Sequence, residues 1–215
     1  MSAKPRFSAA DWITLGHKVL AAGGTEAIKL DAICTAAGLT RGSFYHHFAD
    51  HTVFMAALAT EWAAQNTSRL VAALEGVADA DARHLNDMAL DLDFALEVGI
   101  RELARRVPQV AAIVEQADAQ RLSILADLAR ARFGVSDQTA ADLAFIEYAA
   151  FCGMMLIRPQ LDRETLLRLS RRLDGLMRRH GDDACGGSPP PHPRPSPQPP
   201  YGSPKAARNC RANSG

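Results

Sequence analysis

The chain has 215 residues, with 24 basic and 24 acidic side chains, 47% hydrophobic residues and only 6% aromatics. A chain of this length can bury a sizeable core, and a formal charge of zero excludes a protein that coats nucleic acid by bulk attraction. No uninterrupted run of about 20 apolar residues marks a membrane span, and Cys34, Cys152, Cys185 and Cys210 lack CxxC spacing, so no zinc site or disulfide framework is expected.

The opening, MSAKPRFSAADW, has no apolar core of the kind a signal peptide needs, and a reduced, cytoplasmic protein is expected. Alanine and leucine dominate, which favours helix over sheet. The first helix is expected to start at Ser8, with Asp11 completing a capping box and Trp12, Ile13, Gly16, Val19 and Leu20 facing inward. Gly23 and Gly24 should end it. Lys4 and Arg6 precede it as a short basic arm, read as an untethered tail.

Residues 30–54, LDAICTAAGLTRGSFYHHFADHTVF, organise the rest. A short helix over 31–37 should turn Ile33, Ala36 and Ala37 inward. Gly38 then stands where a helix stops with positive φ, Leu39 fills the angle, and Thr40 caps a second helix over 41–47. In that second helix Phe44 and Phe48 are four apart and face inward. Arg41, Ser43, Tyr45, His46 and His47 are left to face outward. A short helix that shows aromatic and hydrogen-bonding groups to water builds a poor core but fits a major groove.

The run Gly38-Leu39-Thr40, then Gly42-Ser43-Phe44-Tyr45-His46-His47-Phe48, resembles the DNA-binding head of the TetR family of transcriptional regulators. The resemblance implies an all-α protein with three parts. These are a three-helix helix-turn-helix head over 1–52, an effector-binding and dimerisation bundle over 53–181 and, by its composition and not by the resemblance, a disordered proline-rich tail over 182–215. It implies a homodimer on a palindromic double-stranded DNA operator, released by a small-molecule effector, with no cofactor, no membrane and no catalytic site. An activator, or an architectural helical protein without an effector, is the alternative.

The DNA-contacting set implied is Lys29, Thr40, Arg41, Gly42, Ser43, Tyr45, His46, His47 and His51. Arg41 can bond guanine O6 and N7 or grip a phosphate, Gly42 lets the backbone come close, and Thr40 and Ser43 can donate to phosphate. Tyr45 resembles the family's phosphate-contacting tyrosine. Two positions depart from the family: Lys29 replaces a small hydroxyl residue, and His51 replaces a lysine that meets phosphate, which would make that contact sensitive to pH. His46, His47 and His51 do not share a helix face and make no metal site. Over residues 1–55, Lys4, Arg6, Lys18, Lys29 and Arg41 oppose Asp11, Glu26, Asp31 and Asp50. Recognition must then rest on a few placed contacts, made twice by a dimer.

Asp50 should cap a long helix over 52–75 carrying Phe54, Leu58, Trp62, Leu70 and Leu74, with a break over 76–82. A helix ending at Glu97 or Val98, a short one over 100–106, and a long one from Pro108 to Phe133 closed by Gly134 should follow. The stretch GIRELARRVPQVAAIVEQADAQRL also resembles the body of one TetR subgroup. Ser136 should cap a helix to Ile157, and Asp162 a last one to His180. Phe94, Leu103, Phe145, Tyr148, Cys152 and Met155 are the expected lining of an effector pocket. AAFCGMMLI and LLRLSRRLDGLM supply small residues and a leucine stripe for a four-helix dimer interface. Nine of the 12 prolines lie beyond residue 183, giving a polyproline-rich tail with a weakly basic end. No nucleophile elbow, phosphate-cradling loop or HExxH run points to an enzyme.

Overall fold

The computed structural model describes residues 7–74 and 93–186. Among these there are eight helices and no strand: α1 (Ala9–Ala27), α2 (Leu30–Ala37), α3 (Arg41–Tyr45), α4 (His51–Leu74), α5 (Phe94–Ala104), α6 (Pro108–Phe133), α7 (Asp137–Ile157) and α8 (Arg163–Gly186).

The caps expected from sequence are present. Ser8 and Asp11 form a reciprocal capping box, with the Ser8 N–H and hydroxyl each 2.7 Å from Asp11 Oδ2. Thr40, Ser136 and Asp162 accept the N–H of the third residue of α3, α7 and α8, and Asp93 does the same for α5. Pro108 opens α6, where its missing N–H costs nothing, and Gly134 closes it in the left-handed region.

Helix α1 does not stop at the two glycines. The chain kinks at Gly24 (φ 64°, ψ −162°) and makes a further turn to Ala27. In α2, Ile33 is buried and Ala37 packs against the core as expected, but Ala36 is exposed and Cys34 is buried in its stead. The boundary expected near Glu97 and Val98 is absent, because α5 runs unbroken through Gly99. That glycine meets a packing need: a Cβ there would lie 2.8 Å from Leu20 Cγ, so its absence lets α5 close on α1. Gly16 plays the same part between α1 and α4, where a Cβ would lie 2.6 Å from Leu58 Cδ2. Helix α8 continues to Gly186, so the first residues assigned to the tail are helical. Residues 1–6, 75–92 and 187–215, with Lys4, Arg6, the expected break over 76–82 and most of the proline-rich tail, lie outside the described residues.

Head and body share one core. Trp12, Leu20, Ile33, Phe44, Phe54, Leu58 and Trp62 are continuous with Ile100, Leu103, Val110, Val114 and Ala117 of α5 and α6. The division expected near residue 52 is therefore not a gap in packing. A second, smaller cluster joins Ala129 of α6, Ala140 and Leu143 of α7 and Met177 of α8. Helix α7 lies along α6, whereas α8 has a lighter attachment to α6, including an ion pair between Arg132 and Asp174.

Candidate nucleic-acid interface

An aromatic cluster sets the shape of the head. Phe44 is fully buried, with ring centroids 5.4 Å from Trp12, 5.3 Å from Phe48 and 5.2 Å from Phe54. Burying a side chain of this size contributes about 1.5–3 kcal/mol, and edge-on ring pairs add to it. Because Phe44 and Phe48 face inward, the rest of α3 faces water. Arg41, Gly42, Tyr45 and His46 are exposed, and Ser43 and His47 are half-buried. The helical turn is shorter than expected, ending at Tyr45 before a turn through His46 and His47.

The angle between α2 and α3 is fixed by Gly38, in the left-handed region at φ 65°, ψ 29°, whose N–H bonds back into α2. Leu39 packs against the core and Thr40 accepts the Ser43 N–H. The turn is braced a second time on its outer side. Arg41 Nε donates to Asp31 Oδ1 at 2.7 Å and Arg41 Nη2 to Asp31 Oδ2 at 2.6 Å.

Lys29 sits at the start of α2 without a capping bond and pairs with Glu26. Its side chain remains largely exposed. Asp50 accepts the Val53 N–H at 2.8 Å and caps α4. His51 stands differently from a phosphate-facing lysine. Its Nε2 is 2.7 Å from the Ile28 carbonyl oxygen, and its ring lies beside Phe44 and Phe54. A carbonyl can only accept, so Nε2 carries the proton and Nδ1 is the nitrogen left for another partner. His17 makes the matching contact from α1, 2.9 Å from the Leu58 carbonyl oxygen. Two histidines thus fasten α4 to the head.

Residues 13–58 match the family model described as bacterial regulatory proteins, tetR family. The head, from α1 into the start of α4, is thus similar to the regulatory proteins of that family. Solved structures extend the likeness of fold over most of the chain. A transcriptional regulator from Rhodococcus sp. Rha1 aligns with a TM-score of 0.70 and 18% identity, over 80% of this chain and 97% of that one. A ketosteroid transcriptional regulator of Mycobacterium tuberculosis aligns at 0.61 and 18%, over 83% and 96%. FadR from Bacillus subtilis, solved with stearoyl-CoA, aligns at 0.54 and 18%, over 77% and 95%. No curated protein matches the chain in sequence.

The six residues expected to line an effector pocket do not gather in one place. Phe145 is 63% exposed on α7 and faces away from the core, a correction that follows from its place on the helix face opposite Leu143 and Ala144. Leu103 is buried in the core shared with the head, and Met155 is buried at the far end of α7. Phe94 packs edge-on against Phe151 at 5.7 Å. Tyr148 and Cys152 stand one turn apart beside a buried polar cluster.

That cluster was not anticipated. Glu97 is 1% and Arg121 5% exposed. Arg121 Nη1 reaches Glu97 Oε1 at 3.2 Å and the Tyr148 hydroxyl at 2.7 Å, and its guanidinium lies 4.8 Å from the Trp62 ring. Trp62 Nε1 donates to Glu97 Oε2 at 3.0 Å, while Arg101 grips Asp118 through two bonds of 2.8 and 2.9 Å. Burial pushes the Asp118 carboxyl up, but hydrogen bonds from Arg101 and Tyr148 outweigh it and hold the group below the usual carboxylate range. Burial also pushes up the Tyr148 hydroxyl and the Cys152 thiol. The sequence signal was present as the charged pairs Glu97 with Arg101 and Asp118 with Arg121, spaced four and three apart along their helices. Among the described residues no group of His, Cys, Asp or Glu is placed to hold a metal ion.

Proposed function

We propose that the regulator is a homodimeric repressor that binds a two-fold operator and is released by a small molecule. The observation that carries the reading is the outward face of α3. Tyr45, His46, Arg41 and Gly42 are exposed on a helix whose other side is locked by Phe44. In the proposed complex that face enters a major groove, with Thr40, Ser43, His47, Lys29 and the free Nδ1 of His51 flanking the phosphates.

The dimer reading is supported by the far end of the body. Helices α7 and α8 leave Phe145, Ile146, Leu156, Ile157, Leu169 and Leu176 exposed. Gly153 and Gly175 open onto empty space, with nothing within 4 Å of where a Cβ would stand. Apolar side chains around small residues suit close packing of two helices from each copy. By length and composition α7 is also apolar enough to cross a membrane, with 22% of its most apolar window buried. Its inner face, with Ala140, Leu143 and Ala144 packed in the protein and Tyr148 bonded to Arg121, favours a soluble dimer face. A protein that reads the chromosome belongs in the cytoplasm, and we assign it there.

The effector reading draws on Tyr148 and Cys152 beside the buried cluster, and on the ligand-bound structure of similar fold. Footprinting on the DNA upstream of the regulator's own coding region tests the whole. A discrete two-fold protected site, bound less tightly by Tyr45→Phe and Arg41→Ala, supports it, and uniform coating of the duplex overturns it. Sedimentation reads the dimer, and a thermal-shift screen of apolar and amphipathic compounds reads the effector.

A further inference from the structure

The Asp31–Arg41 pair has a geometry that matters for recognition. The carboxylate takes the side edge of the guanidinium, through one N–H of Nε and one of Nη2, at 2.7 and 2.6 Å. A guanidinium has five N–H donors in a fixed plane, so three remain: both on Nη1 and the second on Nη2. Those on the Nη1–Nη2 edge form a fork of two nearly parallel donors, facing away from the carboxylate. The pair is exposed, with both side chains more than half accessible to solvent. Arg41 is also the first residue of α3, at the end of a reading helix from which base edges are contacted.

From this arrangement we infer that Asp31 is a positioning residue that holds Arg41 to read a guanine in each half-site. The inference rests on the proposal that α3 enters a major groove. Guanine alone presents two acceptors, O6 and N7, side by side on that groove edge. Adenine sets a donor beside N7, cytosine offers a donor, and thymine has one acceptor beside a methyl group. The fork left free on Arg41 therefore matches guanine and mismatches the other three.

A phosphate could take the same fork, but Asp31 argues against it. Its carboxylate already neutralises the arginine, and gripping a phosphate would bring a second anion close to the first. The edge of guanine carries no net charge and meets no such repulsion. Holding the long side chain before DNA arrives also removes rotamer entropy that would otherwise be lost on binding. In a head with five basic and four acidic residues over 1–55, the pair exchanges a general attraction for a selective one.

Site selection from a random duplex pool tests this with the full chain and its Asp31→Ala, Asp31→Asn and Arg41→Ala variants. Wild type is expected to select sites with one guanine per half-site whose replacement by adenine weakens binding about 5- to 150-fold. Arg41→Ala should lose preference at that position alone. Asp31→Ala should bind random duplex more tightly yet discriminate at that guanine at least about threefold less well, with Asp31→Asn intermediate. Thermal melting should stay within a few degrees of wild type for all three, because an exposed pair contributes little to stability. Selected sites whose base preferences are unchanged in Asp31→Ala overturn the inference while leaving the operator-binding proposal standing. So does an Arg41→Ala variant that weakens all sites equally and lowers the salt slope by about 1, the mark of a phosphate contact. A wild type that selects no discrete site overturns both.

Discussion

The head and the far end of the body use their side chains in opposite ways. In the head, Trp12, Phe44 and Phe54 are fully buried and the ionic groups Arg41, Asp31, Lys29 and Glu26 are on the surface. In the body, Glu97 and Arg121 are inside, while Phe145, Leu156 and Ile157 are outside. An aromatic core holds a small rigid reading surface at low cost. A buried ionic cluster is different: it is stable only when every partner is present, and it joins α4, α5, α6 and α7 through directional contacts. Exposed apolar helices in turn leave the body unfinished until something covers them. The contrast sets a stiffly packed head beside a body whose interior rests on directional contacts.

The largest effects should come from breaking the two interiors. Phe44→Ala empties the centre of the head and should cost about 3–5 kcal/mol, read as loss of cooperative melting and of DNA binding together. Arg121→Met removes one of the two arginines paired with the buried Glu97, leaving Arg101 and the Trp62 N–H as its partners, and should cost about 1.5–3 kcal/mol. The double variant Arg121→Met with Glu97→Gln should recover much of that loss in a denaturant titration. If the double variant is no more stable than the single one, the cluster is not coupled as its geometry implies.

Next comes the outer face of the body. Phe145→Glu combined with Leu156→Glu should halve the sedimenting mass while leaving helix content by circular dichroism unchanged. A dimer that survives both changes would place the interface elsewhere.

A smaller effect separates the regions by pH. Asp118 is held below its ordinary value of 3.8, so the stability it contributes is complete above about pH 4 and is lost as pH falls through the lowered value. The melting temperature should fall in that acid range, and Asp118→Asn should flatten that part of the profile. Glu147 acts in the opposite sense. Burial raises its carboxyl, so its charged form costs stability that is regained as pH falls, and Glu147→Gln should melt higher at pH 7. The smallest change is Ser8→Ala, which removes one half of the capping box and should cost about 1 kcal/mol.

Much of the head was legible because its signals are local. Gly38 needs positive φ, Thr40 and Asp50 cap the helices that follow them, and the four-residue spacing of Phe44 and Phe48 fixes which side of α3 is free. These depend on neighbours within a turn or two. The failures lie where a contact spans many residues. Gly99 looked like a helix break because sequence does not show Leu20 packed against it. Phe145 looked like pocket lining because α7 is apolar on more than one face, and periodicity cannot say which face meets α6.

The sequence by itself determined the all-helical class, the caps, the turn and the outward set of residues on α3. Only the tertiary structure decided that Asp31 crosses the turn to Arg41, that His51 bonds to Ile28, and that Glu97 and Arg121 meet inside the body. Two of those pairs join side chains from different helices, and His51 reaches a backbone carbonyl between α1 and α2. Their meeting depends on helix packing angles, which no local pattern specifies.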